Sequence, residues 1–452
     1  SGFMSYRGHV RAILVLGLPL IGGHVAQFAI SLTDTVMLGW YGVEELAAVT
    51  LAGSYFFIFF ILGAGFALAV MPMVAAVAAN DDDTSVRRIT RMGLWLSLAY
   101  GVLALPVMIW SQPILSLLGQ PQEIAELAAR YLRVAGLGLF PALVVMVLKS
   151  YLAALERTQI VLWITLLAAG CNALANYALI FGHWGAPELG IMGAAIASVF
   201  TQVVSLIAVV IYAVLALPQH RMFQRFWRPD WEMLAQVFRL GVPIGLTTVS
   251  EVSLFSASAV MMGWLGTVTL AAHGIVVSIA ASTFMVHLGL SNVATIRAGN
   301  AFGRNDRVHM ARGAIAVTGL SLGFALLTIA LFLVMPEPLI SLFMETDNPQ
   351  RPAILAVGAG LLAIAALFQL VDGAQAIALG LLRGVQDTKV PMLVAVFSYW
   401  GLGITSSYFL GFVLGFGGAG VWFGLVVGLA SAGLFLMARF WRSSIKRVGL
   451  PA

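Results

Sequence analysis

Apolar runs of roughly 20 residues recur twelve times along the chain, and no other feature constrains its fold as strongly. A helix of that length crosses a bilayer core, and only helices and closed barrels satisfy all their backbone groups there. The strict alternation of barrel strands is absent, so the runs are read as helices over 11–40, 44–79, 86–110, 122–148, 158–181, 190–217, 233–264, 268–301, 307–335, 351–382, 390–411 and 418–441. The second, eighth and tenth, each longer than 30 residues, should tilt, bend or project beyond the lipid. Charge is correspondingly scarce. Only 10% of residues are charged and 61% are hydrophobic, with a mean hydropathy of +0.98, whereas a soluble domain is about 25% charged. A water-exposed surface is excluded, and the fold class is an all-α integral membrane protein with twelve transmembrane helices.

The net charge of +5 could suggest nucleic acid, but its distribution fits membrane topology better. With twelve spans, one side of the membrane receives Arg7, Arg11, Arg87, Arg88, Arg91, Lys149, Arg157, Arg221, Arg225, Arg228, Arg297, Arg304, Arg307, Arg312, Arg383, Lys389, Arg439, Arg442, Lys446 and Arg447. The opposite connections, such as "FGHWGAPELG" and "LGFGG", carry no Lys or Arg, apart from Arg351 beside Glu345 and Asp347. Arg130 and Arg133 fall within the fourth run. The positive-inside rule therefore places both termini in the cytoplasm. The single cysteine, Cys171, forms no disulfide within the chain.

The sequence also repeats itself. Shifted by 224 positions, Leu16, Gly17, Pro19, Val36, Met37, Gly39, Trp40, Gly42 and Leu46 fall on Leu240, Gly241, Pro243, Val260, Met261, Gly263, Trp264, Gly266 and Leu270. Later the offset drifts to 230, pairing Thr158 with Thr388 and Gly190 with Gly420. Chance composition would not bring Pro, Trp and three glycines into register together. The chain reads as two six-helix halves, an N-terminal lobe over 1–216 and a C-terminal lobe over 233–452, joined by a cytoplasmic linker over 217–232. Six is even, so the repeats are parallel and related by a pseudo-twofold axis along the membrane normal, with a cavity expected between the lobes.

A charged side chain at a helix centre costs about 2.5–3.5 kcal/mol on insertion scales and is a functional candidate by default. Three acids lie deep in the spans: Asp34, Glu251 and Asp372. His24, Gln27, Ser31 and Asp34 share one face of the first helix, which is expected to look into the lobe interior. Asn172 and Asn176 are i,i+4 neighbours on the fifth helix, and Ser198 and Gln202 on the sixth. Carboxylate, amide and hydroxyl oxygens are hard ligands suited to a small cation. In the second half, Thr247, Glu251 and Ser258 share a face of the seventh helix, and Gln369, Asp372 and Gln375 are spaced by three on the tenth. Under the 224 shift Glu251 falls on Gln27 and Ser258 on Asp34, so the scaffold repeats but the acids do not. Two chemically different sites, one per lobe, are expected.

Competing readings stand beside these. The three acids could be polar clamps between helices, and Asn172 and Asn176 could be interhelical glue. His24, His273 and His287 read more simply as satisfied interior histidines than as proton carriers. Pro19 and Pro243 interrupt the first and seventh helices and serve equally as static bends or as hinges. No HExxH, CxxC, P-loop or nucleophile elbow occurs, which disfavours an intramembrane enzyme or an ATP-driven pump.

The text "LGLPL" with "DTVMLGWYG", "CNALANYALIFG" followed by "GAAIAS", "LGVPIGLTTVSEVS" and "VDGAQAIALGLLRGVQDTKVPM" resembles the multidrug and toxic compound extrusion (MATE) family, in its NorM-like branch, over essentially the whole chain. The resemblance implies a secondary active transporter and no enzyme: a multidrug efflux antiporter that exports lipophilic, aromatic organic cations in exchange for Na⁺ or H⁺, by rocking-bundle alternating access. It implies cation coupling through Asp34, Asn172, Asn176 and Ser198 in one lobe and Glu251 and Asp372 in the other, with Asp34, Glu251 and Asp372 ligating Na⁺ if sodium is the coupling ion. Gln27, Ser31, Phe368, Gln369 and Gln375 are assigned to the substrate cavity, and Pro19 and Pro243 to hinges. Some members carry Asp at the place of Asn176, Thr at that of Ser198 and Tyr at that of Phe368. The implied partners are small-molecule drugs and the bilayer, with no nucleic acid and no cofactor beyond the coupling ion. The chain is expected as a monomer in a bacterial inner membrane. The alternative is a lipid-linked oligosaccharide flippase of the same superfamily, for which a cationic cavity is expected; here the cavity candidates are acids.

Overall fold

The computed structural model describes residues 3–449. Among them are twelve helices long and apolar enough to cross a membrane. They are α1 (Tyr6–Tyr41), α2 (Val43–Ala78), α3 (Asp83–Ile109), α4 (Gln122–Ala154), α5 (Thr158–Phe181), α6 (Ile191–Ala216), α7 (Trp231–Trp264), α8 (Thr267–Gly303), α9 (Arg307–Val334), α10 (Arg351–Gly384), α11 (Lys389–Val413) and α12 (Gly418–Arg447). Every expected span is present, with ends displaced by up to six residues. Five helices, α1, α2, α7, α8 and α10, have 34 to 37 residues. At 1.5 Å per residue these are about 50 Å long and outreach the hydrocarbon core. Short helices at Ser111–Leu117 and Pro336–Ser341 precede α4 and α10.

Regular geometry breaks at particular places. Gly136–Gly138 tightens α4 into a 3₁₀ turn, and α11 widens into π-helical turns over Phe397–Ile404 and Phe409–Val413. The repeat is visible in the helix starts. Asp82 caps α3 by accepting from Ser85 N at 3.1 Å, and Asp306, its counterpart at offset 224, caps α9 by accepting from His309 N at 3.1 Å. The residues just before each cap, Asp81 and Asn305, both adopt positive φ, which short polar side chains tolerate.

The chain packs as two compact units whose membership differs from the lobes read off the sequence. One contains the residues up to Ile21 together with those from Leu246 onward; the other runs from Gly22 to Gly245. Both divisions fall two residues after a helix-interior proline, Pro19 or Pro243, and Ile21 and Gly245 are repeat counterparts. The physical reason lies in small-residue crossings. In the first unit, Gly17 of α1 lies over Val293 and Leu290 of α8, and Gly289 of α8 lies against Ile21. In the second, Gly241 and Gly245 of α7 lie backbone to backbone against Gly65 and Leu62 of α2. Small residues let helices approach this closely without a solvent-driven force between them.

Within the first unit α10 is central, packed on α8, α9 and α12. In the second unit α2 packs on α3 and α4, and α5 on α6. The connection 217–230 is bound to helices of that same unit. Asp230 accepts a fork from Arg88 (2.6 Å to Nε, 3.2 Å to Nη2), and Trp95 Nε1 donates to Phe226 O at 2.8 Å. His220 pairs with Asp83 through Nε2 at 3.2 Å and with the Tyr151 hydroxyl through Nδ1 at 2.5 Å.

Candidate functional site

In the Gly22–Gly245 unit, α1 and α5 bring Asp34 against the two-amide face. Asn172 Nδ2 donates to Asp34 Oδ1 at 2.9 Å, and Asn176 Nδ2 donates to the same oxygen at 2.5 Å. Both asparagines are buried. The i,i+4 spacing makes this convergence possible, because two amides one turn apart reach a single point. Asn176 Oδ1 is buried with no hydrogen-bond partner among the described residues. Asp34 enters no ion pair among the described residues. When ionised, a carboxylate held by amides alone has no cation to offset its charge, and a charge left uncompensated in an apolar unit is costly. Together with the unpartnered amide oxygen, this donor set is all hard oxygen and fits a small cation.

The rest of that predicted set divides. Ser198 lies 3.4 Å from the Tyr131 hydroxyl and not on Asp34. Thr201, three residues on, is the hydroxyl that approaches the cluster, 3.4 Å from Asn172 Oδ1, while also donating to Ala197 O at 2.8 Å. Gln27 and Ser31 are exposed on the face of α1 expected to look into the lobe interior, while Asp34 reaches the amides. Lys149 was placed with the basic residues of the connections. In the structure its ammonium is drawn into a helix contact, 2.8 Å from Thr165 Oγ1.

In the other unit, Glu251 of α7 and Asp372 of α10 meet through one side chain. Gln375 Nε2 donates to Glu251 Oε1 at 3.3 Å and to Asp372 Oδ1 at 3.5 Å, and Gln375 Oε1 accepts from the Tyr399 hydroxyl at 2.6 Å. The amide thus presents its NH₂ to the two carboxyl groups and its oxygen to Tyr399. Tyr399 is fully buried and sits in the π-helical stretch of α11; the next residue, Trp400, donates Nε1 to Ser250 O of α7 at 3.3 Å. Widened turns of this kind recur at functional sites. No cationic side chain within salt-bridge distance neutralises Glu251 or Asp372 among the described residues.

The neighbouring candidates are packed in. Phe368 is buried edge-on to Trp422 and Phe255, at ring separations of 5.4 and 5.9 Å. Gln369 is buried and accepts from Thr283 Oγ1 at 2.7 Å. Ser258, the counterpart of Asp34, is buried and donates back to Phe255 O at 2.7 Å. His273 accepts from Trp422 Nε1 at 3.0 Å, and His287 pairs with Ser321 Oγ at 2.8 Å. Sequence reasoning missed Thr201 and Tyr399. Thr201 lies between Ser198 and Gln202 and differs from them only in helical phase, while no spacing rule links Tyr399 to Gln375.

The MatE family model matches residues 19–178 and 243–409, one stretch in each repeat, beginning at Pro19 and at Pro243. The chain is 47% identical over 450 residues to a protein of Rhizobium meliloti (strain 1021) described as probable multidrug resistance protein NorM, covering 99% of this chain and 96% of that one. It is 33% identical over 439 residues to the multidrug resistance protein NorM of Burkholderia vietnamiensis, covering 96% and 94%. Among solved structures, a MATE protein in complex with MaL6 superposes with a TM-score of 0.87 at 21% identity, covering 97% of each chain. A eukaryotic MATE transporter superposes at 0.86 with 16% identity, covering 98% and 99%. These two likenesses bear on the fold. Two matched repeats, twelve spans and full-length relatives at this identity place the chain in the MatE family.

Proposed function

We propose that this protein is a secondary multidrug efflux transporter of a bacterial inner membrane, with both termini cytoplasmic. It exports lipophilic, aromatic organic cations in exchange for Na⁺ or H⁺ and performs no covalent chemistry. The relatives' descriptions as multidrug resistance proteins support the export reading. The observation that carries the coupling is the Asp34 cluster: one carboxylate oxygen held by two amides and, among the described residues, no cationic partner and an amide oxygen buried without a hydrogen bond. A cation arriving there relieves the charge that the protein leaves uncompensated. A ligand biases a conformational equilibrium only through its different affinity for the two states. If the oxygen set around Asp34 exists in one state and opens in the other, occupancy selects the first. Glu251 and Asp372 offer a second acidic site, a carboxylate pair, in the other unit. Alternating access by rocking of the units, with Pro19 and Pro243 as hinges, completes the proposal.

The decisive test is uptake of a fluorescent organic cation into proteoliposomes under a Na⁺ gradient or a H⁺ gradient, each imposed alone. One of the two should drive transport against the drug gradient. Failure of both removes the antiporter reading.

A further inference from the structure

In the Gly22–Gly245 unit, α5 and α6 leave a surface groove of about 360 Å³ between them. Trp163, Ile164 and Leu167 recur at helical spacing on one wall, and Ala208, Ile211 and Leu215 form the other. Trp163, Ile211 and Leu215 are all more than half exposed. Such an apolar slot would be a liability in water. In a chain of twelve membrane spans, such a slot suits an acyl chain of the bilayer.

The groove has one polar end. Tyr212 lines it, and the Tyr212 hydroxyl accepts from Arg157 Nη1 at 3.0 Å. Arg157 immediately precedes α5, so it stands where the apolar surface of the span gives way to the arginine-rich connections. It is exposed, and it forms no ion pair among the described residues. Asp83, a carboxylate of the same unit, is bound to His220 Nε2 at 3.2 Å, and Glu156, beside Arg157 in the chain, is exposed and bridges to no base among the described residues. A guanidinium presents five donors in a planar fork that matches phosphate, and Tyr212 engages only one end of it.

We propose that this groove holds one acyl chain of an anionic phospholipid from the surrounding leaflet, whose phosphate is bound by Arg157 with Tyr212 fixing the guanidinium. The second repeat serves as an internal comparison. The offset of 230 that pairs Thr158 with Thr388 puts Asp387 at the place of Arg157. Asp387 would repel a phosphate and is already bridged by Arg439, 2.7 Å away. The site therefore belongs to one repeat only, and it does not rest on the transport reading.

The test is native mass spectrometry of the full-length protein with equimolar phosphatidylglycerol and phosphatidylcholine of equal chain length. Wild type should retain phosphatidylglycerol in preference, and Arg157→Gln should lower that preference about fivefold, as expected for one arginine at a membrane surface. Ala208→Trp, which fills the groove, should reduce retention of both lipids. Leu215→Gln, at an exposed wall position, should do the same should the tryptophan variant not fold. Millimolar inorganic phosphate should leave bound lipid in place. An unchanged preference in Arg157→Gln, or displacement of the lipid by phosphate alone, overturns the proposal.

Discussion

Asn176 donates its amide to Oδ1 of Asp34 at 2.5 Å, and its own side-chain oxygen is buried without a hydrogen-bond partner among the described residues. The two facts are linked. The carboxylate takes the NH₂ end of the amide, so the oxygen end must point elsewhere, and no donor among the described residues meets it. An interhelical clamp built for stability alone would satisfy both ends, since an unmet buried polar atom costs about 1–3 kcal/mol.

Replacing Asp34, Glu251 or Asp372 individually by its amide should impair efflux of a fluorescent organic cation from everted vesicles, with the protein still present in the membrane. Asn176→Leu should do likewise and also destabilise the fold by about 1.5–3 kcal/mol, because it removes a hydrogen bond to a charged group. Thermal unfolding in detergent reads the second effect. Wild-type efflux in all three amide variants would sink the assignment.

Gln375 is the only side chain that donates to both Glu251 and Asp372 in the described hydrogen bonds. Gln375→Leu keeps the volume but leaves two carboxylates facing each other without a donor, and it orphans the buried Tyr399 hydroxyl. Tyr399→Phe removes only the outer bond, worth about 1 kcal/mol. The expected order of stability is wild type, then Tyr399→Phe, then Gln375→Leu. The double variant should be more stable than Gln375→Leu, since removing the hydroxyl that the first change orphans recovers its cost. Additive losses would show that the two act separately.

The connection 217–230 should loosen in two stages on acidification. Burial holds His220 below its ordinary value of 6.5, against the opposing pull of Asp83. The unfolded chain therefore takes up a proton there first, and stability present above about 6.5 is lost as the pH falls further. The hydrogen bonds from Arg88 hold Asp230 below its ordinary value of 3.8, so its contribution is present above about 3.8 and lost as the pH falls through the lower folded value. Arg88 is over a third exposed, and solvent keeps that pair's contribution below about 1 kcal/mol. Hydrogen exchange of these amides, referenced to intrinsic rates at each pH, reads both stages. His220→Gln should abolish the upper one and Asp230→Asn the lower. A single stage insensitive to His220→Gln would count against this account.

A methyl group at Gly65 would stand 2.7 Å from Gly245 N and 3.0 Å from its Cα, and closer still to Gly241 O. Backbone cannot rotate aside, so Gly65→Ala should push α2 and α7 apart and cost about 1–3 kcal/mol. Gly289→Ala, the repeat counterpart, meets Ile21 N and Cα at 3.1 Å and should behave similarly. Gly53 lies on α2 too, and a Cβ there has nothing within 4 Å. Gly53→Ala should be neutral or stabilising by up to about 1 kcal/mol through helix propensity. Equal melting temperatures for Gly65→Ala and Gly53→Ala would contradict the crossing.

The sequence by itself determined the spans, the repeat and the three acids. Each is written in local terms: hydropathy over a bilayer's width, residues recurring at a constant offset, and charges too costly to place in a helix centre without purpose. Asn172 and Asn176 were legible as a pair because i,i+4 spacing guarantees a shared face. What the spacing could not say is which helix that face meets, and at what phase. Packing decided that Asp34, and not Ser31 or Gln27, reaches the amides; that Thr201 and not Ser198 approaches them; and that Gln375 stands between Glu251 and Asp372 with Tyr399 behind it, on a helix widened into π turns. It also decided that α1 and α7 each belong to two units. The membership of their first halves is set by glycine crossings with helices far away in the chain, and contacts of that kind leave no periodic trace in the sequence.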